Sequence, residues 1–193
     1  GIKTLNKSKK IFKVLKEVKV KSGERFISIS PSNRLSINIS INYPETIIGH
    51  SQYFYTHTQD NFINDLSKAR TYTLQEDIEK MRTAGLAIGG SLNNAIVVDK
   101  YKILNPEGLR LEKEFVKHKT LDCIGDFYLL GMQLVGNIEC FAPGHSLNQQ
   151  RIREILKNRE NYIIEEIIPE NNNKNFLDLI DNKNTSPNIT NVA

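Results

Sequence analysis

The chemistry open to this chain rests on a few side chains: four histidines, two cysteines and the carboxylates beside them. His118, Asp122 and Asp126 recur at intervals of four within Glu112-Lys113-Glu114-Phe115-Val116-Lys117-His118-Lys119-Thr120-Leu121-Asp122-Cys123-Ile124-Gly125-Asp126. Residues four apart share one face of a helix, so His118 and Asp122 can both reach one metal ion, and Asp126 follows a turn later. The other face carries Phe115, Leu121, Ile124 and Leu129. Catalytic zinc normally takes three protein ligands. Spacing alone therefore leaves both a metal pair and a surface ion pair open. His145 stands in Pro143-Gly144-His145-Ser146-Leu147-Asn148, between a buried strand and a helix. Such a residue either caps the helix or is a catalytic group held at a strand end over a cleft. Asp126 can orient it, and a neighbouring carboxylate favours the protonated imidazole.

His50 and His57 flank an aromatic strand without an obvious partner, which places both at the surface or a sheet edge. Cys123 and Cys140 form no CxxC. That excludes a disulfide scaffold and a four-cysteine zinc site, and it fits a reducing cytoplasm. The glycine-rich run Gly85–Ser91 has neither GxxxxGK[ST] nor GxGxxG, so it is read as a turn rather than a phosphate loop.

The elements that must position these groups follow from composition and periodicity. With 193 residues, 39% apolar and 25% charged, the chain suits one large domain, or one domain plus an insertion, around a packed core. No apolar run approaches the roughly 20 residues that span a bilayer, and no signal-peptide pattern opens the sequence, so secretion and membrane insertion are not expected. Residues 1–25 carry nine Lys or Arg and two acids, a net +7 that leaves the remainder near −3. Lys13, Lys16, Lys19 and Lys21 sit between apolar residues, as on the wet face of a sheet. No nucleic-acid motif accompanies them, and no nucleic-acid partner is expected.

Residues 11–20 read as one β-rich strand, 26–29 as a second, and Leu35–Ile41, strictly alternating, as a half-buried antiparallel strand. Another strand is expected over 51–56. Thr58 caps an expected helix over 59–68, and a helix over 75–84 ends at Gly85. A strand at 95–98 closes a small β-α-β insertion over 72–98. Its Leu74, Ile78, Met81, Leu86 and Ile88 either pack on the main body or line a groove for an acyl chain. The longest helix is expected over 111–130, followed by a buried strand at 134–142, a helix over 147–158 and a strand near 162–164. The order predicts an α+β fold, a two-layer domain with its sheet covered by helices on one face. From Glu170 onward about a third of the residues are Asn, and Leu177, Leu179 and Ile180 could dock locally; residues 169–193 are read as a disordered tail.

Three stretches carry a resemblance. They are Ala69-Arg70-Thr71 with Gly85-Leu86-Ala87-Ile88-Gly89-Gly90-Ser91-Leu92-Asn93-Asn94-Ala95-Ile96-Val97-Val98-Asp99; Leu104-Asn105-Pro106-Glu107-Gly108-Leu109-Arg110 through His118-Lys119, Asp122 and Gly125-Asp126; and Gly144-His145-Ser146-Leu147-Asn148. In order and spacing, over about residues 5–165, they resemble the zinc-dependent UDP-3-O-acyl-N-acetylglucosamine deacetylase family of lipid A biosynthesis, found in the cytoplasm of Gram-negative bacteria. The resemblance implies that His118 and Asp122 bind Zn2+, that His145 is the cationic acid supported by Asp126, and that the Thr71 hydroxyl meets the carbonyl oxygen. Lys119 and Arg25 match basic positions near the sugar and diphosphate, and the insertion matches an acyl passage. The implied domain is the family's second, over 11–168 with two main helices, and residues 1–10 are the end of a preceding domain or a linker.

The family's first domain carries a Glu-His pair that supplies the base and the third zinc ligand. No Glu-His dipeptide occurs here. Ala142-Pro143 also precede Gly144-His145 where the family usually places a basic residue. The resemblance thus implies the C-terminal portion of a deacetylase, a fragment or a split gene product, inactive by itself. Its expected partners are UDP-3-O-acyl-N-acetylglucosamine and the missing N-terminal domain, with at most peripheral membrane association. The competing reading is a non-catalytic module that keeps the acyl passage and binds the acylated sugar nucleotide without hydrolysing it.

Overall fold

The computed structural model describes residues 8–167. The expected disordered tail, and most of the segment assigned to a preceding domain or linker, lie outside the described residues. In chain order the elements are β1 (Lys9–Val14), β2 (Val18–Ser22), β3 (Arg25–Ser30), β4 (Leu35–Tyr43), β5 (Gly49–Thr56), α1 (Gln59–Asn61), β6 (Thr71–Leu74), α2 (Gln75–Thr83), β7 (Ala95–Asp99), β8 (Lys102–Ile103), α3 (Glu114–Phe127), β9 (Gln133–Phe141), α4 (His145–Leu156) and β10 (Tyr162–Ile167).

The centre of the main seven-stranded sheet is β9. Its first residues pair in parallel with β1, which is extended by antiparallel β10. Its later residues lie between antiparallel β3 and parallel β4, and β2 and β5 complete the two flanks. Gly136 marks the changeover on β9. A Cβ there would stand 3.0 Å from Val14 Cγ2 and 3.2 Å from Ile29 Cγ2, so any side chain would have to push Val14 and Ile29 aside.

The alternation in β4 sends Ile37, Ile39 and Ile41 into the core. Asn38 points to the other face, where its Oδ1 accepts from Gln52 Nε2 at 2.9 Å. Both long helices cover the isoleucine face: Phe115, Val116, Cys123 and Phe127 of α3, and Leu147, Ile152 and Ile155 of α4, join Ile27, Ile29, Ile37 and Ile39 in one core. This is the expected α+β domain with two main helices on one face of a sheet. A second, three-stranded sheet adds the insertion: β6 and β7 are parallel, joined through α2, and β8 returns antiparallel to β7.

Several boundaries differ from expectation. Residues 11–20 form two strands, because the chain turns at Leu15–Glu17, where Leu15 and Lys16 N–H donate to Asn161 O. β1 then pairs with β9 and β10, whereas β2, among the described residues, pairs with β3 alone. Thr58 does cap, accepting from Asn61 N at 3.0 Å, but α1 passes at once into a π-helical turn at Phe62–Leu66. α3 begins three residues late because Lys113 is left-handed, at φ 56°. α4 begins two residues early, with Gly144 as its N-cap. The two-stranded part of the insertion also reaches β8, beyond residue 98, and β1 begins at Lys9. Among the described residues no helix is long and apolar enough to cross a membrane.

Candidate active site

The helix that carries the carboxylate stripe is anchored by a buried ion pair at its first turn. Glu114 is fully buried. Its Oε1 accepts from Arg70 N at 3.0 Å and Arg70 Nε at 2.9 Å, and its Oε2 accepts from Arg110 N at 2.5 Å. Arg70, also buried, donates further to Glu107 Oε1 at 2.6 Å and Gly108 O at 2.7 Å. Burial pushes the Glu114 carboxyl up, but hydrogen bonds from Arg70 and Arg110 together with the Arg70 charge outweigh it, and the group lies below the usual glutamate range. A negative charge at the N-terminal turn also complements the helix dipole. The clamp fixes Ala69-Arg70-Thr71 against α3.

One consequence falls on His118. Its Nδ1 lies 3.1 Å from Ala69 O. A carbonyl only accepts, so Nδ1 carries the proton. Nε2 then faces Asp122 Oδ1 at 3.2 Å. A proton or a cation between the two atoms joins them. Lys119 Nζ donates to Asp122 Oδ2 at 3.0 Å and sits 5.6 Å from the centre of the Tyr72 ring. Burial raises the Asp122 carboxyl, yet the His118 hydrogen bond and the Lys119 charge hold it below the usual aspartate range. The donor set suits a divalent metal: an imidazole oriented by a backbone carbonyl, beside an ionised carboxylate. Among the described residues, however, no three His, Cys, Asp or Glu side chains converge as a metal site.

The second cluster joins the end of α3 to the start of α4. His145 Nδ1 lies 2.9 Å from Asp126 Oδ2 and 3.0 Å from Oδ1. His145 is not the cap of α4, since Gly144 holds the N-cap position and His145 is the first helical residue. The His145 side chain is 64% exposed, whereas Asp126 is only 14% exposed. Arg25 Nε donates to Ala142 O at 2.8 Å, so Arg25 braces the turn that presents His145. A Cβ at Gly144 would stand 3.0 Å from Arg25 Nη2. Ala142 itself is left-handed, at φ 45°.

Thr71 opens β6 and lines a cavity of about 710 Å³. Thr71, Tyr72 and Thr73 of β6 line the cavity together with Ala95 and Val97 of β7, whereas the alternate residues of β7, Ile96 and Val98, face the core. Ile78 and Met81 of α2 form the opposite wall. The cavity thus occupies the place of a core between α2 and its sheet, and its volume is that of a ligand pocket. Of the other apolar residues singled out in the insertion, Leu74 packs against the core. Leu86 and Ile88 point outward, 59% and 81% exposed.

The structure therefore brings His118, Asp122 and Lys119 together, and separately His145 and Asp126 with Arg25 behind their turn. Thr71 stands two residues from the carbonyl that fixes His118. Sequence reasoning passed over Arg70, Glu114 and Asn148. Glu114 extends the i,i+4 series of His118, Asp122 and Asp126 by one turn, and that spacing was its available signal. Asn148 lies three residues after His145 and donates to Asp126 Oδ2 at 2.7 Å. His57 has a partner after all: its Nδ1 lies 3.0 Å from the Tyr55 hydroxyl, and burial lowers its pKa. His50 is exposed.

Residues 1–157 match the family described as UDP-3-O-acyl N-acetylglycosamine deacetylase. A protein of Sulfurimonas denitrificans named UDP-3-O-acyl-N-acetylglucosamine deacetylase is 43% identical over 170 residues, 88% of this chain and 58% of the relative. Proteins of the same name from Campylobacter fetus subsp. fetus and Nautilia profundicola are each 43% identical, over 84% and 81% of this chain and 55% and 53% of their own lengths. The chain spans just over half the length of these relatives. The match runs through both helices and both clusters, and on that ground the chain belongs to the UDP-3-O-acyl N-acetylglycosamine deacetylase family.

Proposed function

We propose that this chain supplies the metal pair, the acid and the acyl passage of an enzyme that removes the N-acetyl group from UDP-3-O-acyl-N-acetylglucosamine, an early step of lipid A biosynthesis in the cytoplasm of a Gram-negative bacterium. The observation that carries the reading is the three-residue link Ala69-Arg70-Thr71. Its first carbonyl orients His118, its arginine is clamped to α3, and its threonine stands at the cavity.

His118 and Asp122 would hold Zn2+, with a third ligand from the part of the protein that the relatives have in addition. When bound, zinc supplies a Lewis acid that polarises the acetamide carbonyl and makes water a better nucleophile. The Thr71 hydroxyl donates to the acetamide oxygen. His145, with Nδ1–H on Asp126, offers Nε2–H to the developing oxyanion and then to the amine that leaves. Lys119 and Arg25 meet the sugar and diphosphate, and the 710 Å³ cavity takes the 3-O-acyl chain. A general base is left to the additional part. The reading is tested by acetate release from the acylated sugar nucleotide, with this chain joined to the unmatched portion of the Sulfurimonas denitrificans relative. His145→Ala is expected to lower kcat by about 10²–10⁴-fold, the worth of a positioned acid. An unchanged kcat would remove His145 from the chemistry.

A further inference from the structure

We propose that Asn148 is a positioning residue for His145, acting through the Asp126 carboxylate. Asn148 is fully buried in the first turns of α4. Its Nδ2 donates to Asp126 Oδ2 at 2.7 Å and lies 3.8 Å from Cys123 Sγ. His145 and Asn148 are three apart, so both project from one side of α4. One carboxylate at the end of α3 is therefore gripped by two donors from the start of α4.

The two donors differ in freedom. The His145 side chain is 64% exposed and nothing but Asp126 bonds to its ring among the described residues. Its orientation is then only as fixed as the carboxylate. Asp126 cannot be fixed by His145, which it is meant to fix. Asn148 breaks that circle, because it is held by burial on every side. Its amide can point only one way: turned over, Oδ1 would oppose the Asp126 carboxylate, acceptor against acceptor. The orientation is kept although it leaves Asn148 Oδ1 buried without a hydrogen-bond partner among the described residues. Leaving that acceptor unmade is unfavourable, so the bond at the other end of the amide is the one being maintained. The result is a His145 ring held with Nδ1–H on Asp126, so that Nε2 faces a substrate and carries the proton to be donated when the ring is cationic.

The proposal rests on the reading of His145 as the acid, but its test reads the tautomer and not turnover. Long-range proton–nitrogen NMR of the 193-residue chain in mildly alkaline buffer assigns the two ring nitrogens of His145. The wild type is expected to show a protonated, slowly exchanging Nδ1. Asn148→Leu keeps the volume and removes the donor; it should lose that signal and average the two tautomers. Asn148→Thr, which retains a donor, should restore part of it. Ile152→Ala loosens α4 without touching Asp126 and should leave it intact. Should Asn148→Leu fail to fold, Asn148→Ala, which has no side-chain donor, is read instead with the same expectation. An unaltered signal in the donorless variant, an equal loss in Ile152→Ala, or a wild type without protonated Nδ1 would overturn the proposal. A wild-type signal with no deacetylation in the joined protein would instead count against the functional reading alone.

Discussion

The Arg70–Glu114 pair shows how a residue outside the chemistry governs it. Both side chains are buried, and Glu114 accepts from two backbone N–H groups as well as from the guanidinium. Removing one partner of a buried pair typically costs about 3–5 kcal/mol, because the other charge stays behind unpaired. Glu114→Gln should lose stability on that scale, measured by urea unfolding at neutral pH. The pH dependence has a definite sign. Glu114 and Asp122 both have carboxyls held below their ordinary values in the folded chain. Their contribution is complete above the unfolded carboxylate range near pH 4 and is lost as pH falls through the folded values. Glu114→Gln should therefore flatten part of the acid limb of the stability curve; an unchanged limb would mean that the carboxylate is not favoured by folding. The i,i+4 stripe was legible at this scale because helical spacing is a property of sequence. That Glu114 belonged to it, buried, was not. A charge facing solvent and a charge clamped to a distant arginine look alike in one dimension.

At the scale of elements, α4 carries a cost that its sequence pattern conceals. Arg151 is fully buried, and Nε, Nη1 and Nη2 have no hydrogen-bond partner among the described residues. Burial pushes its pKa down to about 10, against the opposing pull of Glu154 and Glu17. Arg151→Met keeps most of the apolar stem and removes the charge. It should raise stability by about 1–4 kcal/mol, the range seen when buried ionic groups give way to apolar ones. A loss in urea unfolding would mean that the guanidinium is well paired in solution. The insertion makes the other prediction at this scale. Its α2, β6 and β7 enclose a cavity where a β-α-β unit ordinarily packs a core. Calorimetric titration should give tighter binding for the long-chain acylated sugar nucleotide than for its short-chain analogue, and Met81→Trp, which fills one wall, should erase the difference. Equal affinities in the unsubstituted chain would empty the passage of its role. Periodicity located the insertion, and it marked Ile78 and Met81 among its apolar residues. It did not separate them from Leu86 and Ile88, because a loop has no repeat to say which side faces inward. The single strand expected over 11–20 failed for a related reason. β propensity is continuous there, and the break at Leu15–Glu17 is imposed by Asn161, far along the chain.

For the whole molecule, the candidate groups fall along α3, at the start of α4 and at the edge of the insertion. β9 orders the sheet through pairings with β1, β3 and β4, and then delivers Gly144-His145 at its end. α3 carries His118, Asp122 and Asp126 along one face over about 12 Å, at 1.5 Å per residue. The two-layer α+β class was readable from the order of strands and helices, whereas the three-way pairing of β9 was not, since non-local partners leave no local trace. On the proposed function, these 193 residues hold part of a deacetylase site that the additional length of the relatives completes. Two candidate ligands leave zinc one short of the usual three, and proton removal without a positioned base loses about 10²–10⁴-fold. The direct measurement is acetate release from UDP-3-O-acyl-N-acetylglucosamine by the purified chain in zinc-containing buffer, with and without the unmatched portion of the Sulfurimonas denitrificans relative added in trans. The account predicts little or no turnover from the chain alone and deacetylation, together with tight zinc binding, when the two are mixed. Full turnover by the 193 residues alone would contradict it, and would require a base and a third ligand from within this chain.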